Sequence, residues 1–174
     1  MLDSVTVTVI TVPGHPCGQN IVKIAFAADH AGWPLRDRLL YEIEALGHTV
    51  VDCGPSVMEP GDDYPDRSAA VARAIVERRS DRGILVCGSG VGAAIAANKV
   101  RGMRACMCHD SFSARQGVED DDMNILALGA RVIGVELAAM LLRDFLSATF
   151  SGEERHRRRV GKIEEMERAQ NLGV

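Results

Sequence analysis

From Lys23 onward, short unbroken apolar runs alternate with stretches in which apolar residues recur every three or four positions. Ile24 to Ala28 is apolar throughout, the pattern of a strand covered on both faces in a parallel sheet. Leu35, Leu39, Leu40, Ile43 and Leu46 follow at helical spacing, with Pro34 suited to the first turn and Gly47 closing the helix. His48 to Asp52 reads as a second strand. The Gly/Pro/Asp-rich loop Gly54 to Asp63 then leads to Tyr64-Pro65 and a helix with its apolar face on Ala69, Ala72, Ile75 and Val76. Gly83 to Val86 predicts a third strand that runs into Cys87, and Val91 to Asn98 a small-residue helix. Arg104 to Met107 and Asn124 to Leu128 predict strands four and five, with Ser111 to Val118 helical between them. Residues 134–147 and 153–169 predict the last helices.

Strands separated by helices need crossover connections, so the pattern predicts an α/β fold: a three-layer arrangement with a mostly parallel five-stranded sheet and helices on both faces. Ligands of such sheets bind beyond the carboxyl ends of the strands. Asp29, His30, Cys87 and Cys108-His109-Asp110 all fall at that edge. Residues 23–174 form one predicted domain. Residues 1–22 are an extension, either an added edge strand built on Val5 to Val12 or a loose tail, since Pro13 to Gly18 breaks regular structure.

Composition narrows this picture. The 174 residues are 47% hydrophobic but only 4% aromatic, which suits a sheet flanked by closely packed helices rather than an all-β sandwich. A net charge of -4 offers no general attraction to nucleic acid or anionic membranes. No apolar run approaches the ~20 residues of a membrane span, and Asp3 stands where a secretory signal would carry positive charge, so a cytoplasmic protein is expected. The five cysteines lack CxxC spacing, which suggests neither a disulfide framework nor a zinc site.

Gly88-Ser89-Gly90-Val91-Gly92 follows a strand and opens a helix, so its glycines can turn sharply while amides face an anion; alone it reads equally as a structural turn. Cys87 before it sits near a helix start, where dipole and amides stabilise a thiolate; the alternative is an inert buried cysteine. Cys53, Cys106 and Cys108 are assigned to packing. Asp29 and His30 suit sugar hydroxyls or proton transfer, or else cap the next helix. Asp120-Asp121-Asp122 reads as a solvated acidic turn. Arg155 and Arg159 lie one helical turn apart and share a face able to grip a phosphate, or only a solvated basic one.

The combination is more specific than its parts. Ala27-Ala28-Asp29-His30-Ala31-Gly32, Asp63-Tyr64-Pro65, Leu85 to Gly92, Ile95 to Lys99, His109 to Ala114, Asn124 to Gly134 and Arg155-His156 occur in this order. Over roughly residues 23–170 the chain resembles the type B ribose-5-phosphate isomerases and the related galactose-6-phosphate isomerase subunits. The resemblance implies a Rossmann-like fold, no metal or cofactor, and a homodimer or dimer of dimers with active sites shared between subunits. It implies that Cys87 moves the proton α to the carbonyl through an enediolate, with Gly88, Ser89, Gly90, Val91 and Gly92 around the developing oxyanion. Asp29, His30, Tyr64, Asp121 and Arg131 are then the sugar-contacting residues, and Arg155, His156 and Arg159 the phosphate ligands.

One position departs from the family pattern. Asp120 stands where the family commonly has a histidine thought to protonate the ring oxygen, and an ordinary carboxyl with a pKa of ~3.9 donates no proton readily near neutrality. Either neighbouring Asp121 and Asp122 favour a protonated Asp120, or His109 or another group substitutes, or the substrate needs no opening. A four-carbon sugar phosphorylated on the C4 oxygen cannot close a furanose through that oxygen. Ribose 5-phosphate to ribulose 5-phosphate is the default expectation. A hexose 6-phosphate, a tetrose 4-phosphate, a non-catalytic sugar-phosphate-binding subunit and a redox role for Cys87 are the alternatives.

Overall fold

A computed structural model describes residues 21–170 of the protein. The run Val5 to Val12, Cys17 and the last four residues lie outside the described residues, as do all but the last two residues of the 1–22 segment expected to be an edge strand or tail. The elements are β1 (Lys23–Ala28), α1 (Trp33–Ala45), β2 (Thr49–Asp52), α2 (Tyr64–Val76), β3 (Arg82–Cys87), α3 (Val91–Ala97), β4 (Ala105–Met107), α4 (Ser111–Asp121), β5 (Ile125–Gly129), α5 (Val135–Ser147) and α6 (Glu154–Gln170).

Five strands form one sheet in the order β2-β1-β3-β5-β4, and every pairing is parallel. The predicted α/β architecture is present, with the sheet wholly rather than mostly parallel. Its strands are apolar throughout because helices cover both faces. Ile24, Phe26 and Ala28 point to one side, into a core with Leu35, Leu39, Leu126, Leu142 and Phe145. Ala25 and Ala27 point to the other, where Val71, Ala72, Ala93 and Ala97 of α2 and α3 pack close. Period-two alternation thus sends the larger side chains of β1 to one layer and the smallest to the other.

Two boundaries differ from expectation. Helix α4 runs through Asp120 to Asp121 instead of stopping at Val118, and ends where Asp122 adopts the left-handed conformation at φ 51°. The Arg104 guanidinium holds that turn, with Nε donating to the Asp122 carbonyl at 2.7 Å and a second nitrogen to its carboxylate. The acidic triplet is therefore the end of a helix, with Asp122 turned away to Arg104, and not a solvated loop. The second difference lies at the sheet edge. β4 pairs only with β5, and its Cys106 is exposed, so the packing role expected for that cysteine is wrong. Cys108 and Cys53 do pack inward. Burial pushes the Cys53 thiol up to about 11.

Glu42 is a buried carboxylate on the inner side of α1, held by Arg143 of α5 and by Arg38 one turn earlier. The hydrogen bond from Arg143 is the main cause that keeps its carboxyl below the usual glutamate range, and it outweighs the opposing effect of burial. A carboxyl depressed in the folded state stabilises above its unfolded pKa and loses that contribution as pH falls through the folded value. Glu42→Ala is thus expected to cost ~2 kcal/mol at pH 7, with the difference from wild type shrinking at pH 3; urea unfolding at the two pH values checks this.

Candidate active site

Strand order reverses between β1 and β3: from β1 the chain moves outward to β2, then returns to the other side of β1. In open parallel sheets this switch point leaves a crevice beyond the strand ends. Hydrogen bonds tie the ends together there. The Asp29 amide donates to the Val86 carbonyl at 3.1 Å, Ala130 N–H to the Cys87 carbonyl at 2.9 Å, and Arg131 N–H to the Gly88 carbonyl at 2.9 Å. Gly32, at the start of α1, lies so near that an added Cβ would stand 2.2 Å from the Val86 carbonyl oxygen, which is why a glycine opens this helix.

A cavity of about 350 Å³ occupies the crevice, lined by Asp29, His30, Tyr64, Cys87, Ser89 and Arg131 together with Ala31, Gly88, Gly92 and Val132. That volume lies within the ~300–1,000 Å³ of ordinary small-molecule sites. Cys87 ends β3 and is 4% exposed, and its sulfur accepts the Gly90 N–H at 3.1 Å. The left-handed φ of 84° at Gly90 aims that amide back at the sulfur, a conformation that favours glycine. Val91 N–H donates to Ser89 Oγ at 3.3 Å, and the Val91 side chain is exposed and does not line the cavity. These two amides have partners already, whereas Gly88, Ser89 and Gly92 line the cavity.

Asp29 is buried, and its carboxylate accepts the Gly32 N–H at 2.8 Å, so it both closes the turn into α1 and lines the cavity. The Tyr64 ring lies against Gly92, where an added Cβ would meet it at 2.6 Å. The Arg131 side chain covers Gly88. A residue absent from the sequence reading also belongs here: Asp62, whose carboxylate is bound to His30. Its signal was hidden because Asp in a Gly/Pro-rich loop reads as a surface turn.

The remaining expected site residues lie elsewhere on the chain. Asp120, Asp121, Arg155, His156 and Arg159 belong to the end of α4 and the start of α6, and none lines the cavity of Cys87. Asp120 accepts from Gln116 Nε2 at 2.8 Å and lies 3.5 Å from His156 Nε2. Arg155 and Arg159 share an exposed face as expected. His156 does not join them: it is 2% exposed, its Nδ1 is 2.7 Å from Ser151 Oγ, and with Val160 it forms the inner face of α6. Within one chain His156 thus lies on the inner side of α6, away from the exposed face of the two arginines. His109 accepts the Gly129 N–H on Nε2 at 3.2 Å, and Asp110 caps α4 through Ser113 N–H at 2.7 Å. Among the described residues no three metal-ligating side chains converge, and no helix is long and apolar enough to cross a membrane.

The family model described as Ribose/Galactose Isomerase matches residues 24–163. Ribose-5-phosphate isomerase B of Escherichia coli (strain K12) is 41% identical over 149 residues, covering 86% of this chain and 99% of that protein. D-erythrulose-4-phosphate isomerase of Pectobacterium atrosepticum is 39% identical over 132 residues, 76% of this chain and 87% of that one. The solved structure of Clostridium thermocellum ribose-5-phosphate isomerase B superposes with a TM-score of 0.82 at 43% identity, covering 85% of this chain and 99% of the other. With the fold, the order of elements and most of its length matched, the chain belongs to the ribose/galactose isomerase family and is an isomerase.

Proposed function

We propose that this protein interconverts a phosphorylated aldose and its ketose, with ribose 5-phosphate and ribulose 5-phosphate as the substrate pair, by proton transfer at Cys87. The observation that carries the reading is the Cys87 thiol, held by the Gly90 amide in a cavity it shares with Asp29, His30 and Arg131. Cys87 as thiolate takes the C2 proton of the open aldose. The C–H electron pair becomes the C1–C2 double bond and the carbonyl electrons move onto O1, giving an enediolate. The thiol returns its proton to C1 while the O2 proton passes to O1, and the carbonyl is then at C2. Amides of the glycine loop and the Arg131 guanidinium supply donors where negative charge develops.

The site is completed by a second copy of the chain. Among the described residues Arg131 is the one guanidinium that lines the Cys87 cavity, while Arg155 and Arg159 stand on an exposed face away from it. Tyr64, Val91, Ile95, Met107 and Phe112 are large apolar side chains left exposed by α2, α3, β4 and α4. A homodimer that covers them and carries α6 of one subunit to the cavity of the other brings the phosphate-gripping face to the sugar. Phosphate clamping at a distance from the reacting carbons is a source of binding energy for orienting them.

A second reading, a four-carbon sugar 4-phosphate, is favoured by Asp120, a carboxylate paired with Gln116 and His156 where ring opening calls for a proton donor. The similarity to a D-erythrulose-4-phosphate isomerase supports the same reading. Turnover of erythrose 4-phosphate, ribose 5-phosphate and galactose 6-phosphate by the purified protein separates the cases. Ribose 5-phosphate with the highest kcat/KM supports the first reading; tetrose turnover with ribose 5-phosphate ignored replaces it with the second.

A further inference from the structure

His30 is fixed from one side only. Its backbone N–H donates to Asp62 Oδ1 at 2.8 Å, and its ring Nδ1 lies 3.0 Å from the same oxygen. The other carboxylate oxygen accepts Arg67 Nε at 2.9 Å. The Asp62 side chain is 5% exposed, whereas that of His30 is 39% exposed and lines the cavity that contains Cys87. Burial works to raise the Asp62 carboxyl, but hydrogen bonds from Arg67 and from the His30 amide and ring outweigh it and keep it below the usual range. An ionised carboxylate only accepts hydrogen bonds, so the His30 nitrogen facing it carries the proton. In the neutral ring Nε2 is then the acceptor, and it has no hydrogen-bond partner among the described residues.

We infer that Asp62 is a positioning residue: it holds His30 as the Nδ1–H tautomer so that Nε2 accepts a hydroxyl of the phosphosugar bound against Cys87. The inference rests on the proposed function for the identity of the ligand, but not for the state of the ring. Arg67 holds the other oxygen of Asp62, and the two hydrogen bonds that Asp62 Oδ1 accepts from the amide and ring of His30 leave the imidazole one orientation. The logic is that of any carboxylate–histidine pair in which the partner of one nitrogen decides what the other can do.

Three measurements test it together. In 15N-histidine spectra, with the His30 signal assigned by its loss in His30→Gln, wild type shows a protonated Nδ1 and a bare Nε2. Asp62→Asn has one oxygen for two donor sides: with that oxygen turned to Arg67, its N–H₂ faces His30, the bond from the His30 amide is lost, ring Nδ1 becomes the acceptor, and the tautomer signature changes. The substrate is ribose 5-phosphate, or erythrose 4-phosphate if that is the sugar turned over. kcat/KM for it falls about tenfold in Asp62→Asn, the worth of one neutral hydrogen bond. His30→Gln falls at least as far, and adding Asp62→Asn to it causes no further loss, because Asp62 acts only through His30. An unchanged tautomer in an active Asp62→Asn enzyme, or losses that multiply in the double variant, would overturn the role of Asp62. A wild type that turned over neither sugar, with the tautomer as described, would overturn the functional reading instead and leave the ring assignment standing.

Discussion

Cys87→Ala folds and loses about three orders of magnitude in kcat, while KM for the sugar phosphate stays within a few-fold of wild type; a positioned general base contributes ~10²–10⁴. The split between the constants follows from where the side chain sits. Cys87 lines the cavity, and the expected ligands of the phosphate and hydroxyls are other residues, so truncating the thiol removes the group that accepts the C2 proton and little that binds the sugar. Thermal unfolding should shift down without loss of the fold, because the hydrogen bond from the Gly90 amide is buried and truncating the thiol leaves that N–H without its partner. Cys87→Ser is expected to be nearly as inactive, since a serine hydroxyl does not ionise in the range where a thiol does. Steady-state kinetics with circular dichroism on both variants separates loss of chemistry from loss of fold. Unfolded variants would say nothing about the base; folded variants with wild-type kcat would remove Cys87 from the mechanism.

The second large effect is recovery of activity by mixing two inactive proteins. If the cavity of one subunit is completed by Arg155 and Arg159 of the other, Cys87→Ala and the double variant Arg155→Ala/Arg159→Ala are each inactive as homodimers. In their heterodimer one site carries both defects and the other carries none. Random reassociation at equal amounts makes half of the dimers mixed, so activity returns to roughly a quarter of wild type, as the arithmetic of a two-fold symmetric dimer requires. Co-refolding from urea followed by assay provides the measurement. Activity no greater than the sum of the separate variants would place both halves of the site in one chain and contradict the shared arrangement.

Most of the fold was legible because its strands are apolar runs ended by glycine or polar residues, and its helices carry regular apolar spacing, as in Leu35, Leu39 and Ile43. Where the pattern went silent, boundaries were lost. Glu119, Asp120 and Asp121 carry no periodicity, so only tertiary contacts show that α4 continues through them until Arg104 holds Asp122 in its left-handed turn. Cys106 alternates as a strand residue should, but alternation does not reveal that β4 is an edge with an open face. The inward face of His156 left one sign, Val160 one turn on, which is buried with it, whereas Ile163 a further turn on is exposed. The cavity-lining half of the site was legible through strand ends and the glycine loop. Asp62 was not, because its partner His30 is 32 residues away and no spacing rule joins a loop carboxylate to a strand-end imidazole. Asp120, Asp121, Arg155, His156 and Arg159 lie away from the cavity within one chain, and only the sharing of sites between subunits that the resemblance implies joins them to it, which sequence order alone does not give.

Exchange of the sugar's C2 hydrogen with solvent deuterium tests the central role of Cys87 most directly, since it reads the proton transfer whether or not product accumulates. Wild type incubated in D₂O with ribose 5-phosphate, or with erythrose 4-phosphate if that is the sugar turned over, should place deuterium on the reacting carbons, and Cys87→Ala should bind the sugar and place none. Equal deuterium incorporation by the two proteins would contradict the account.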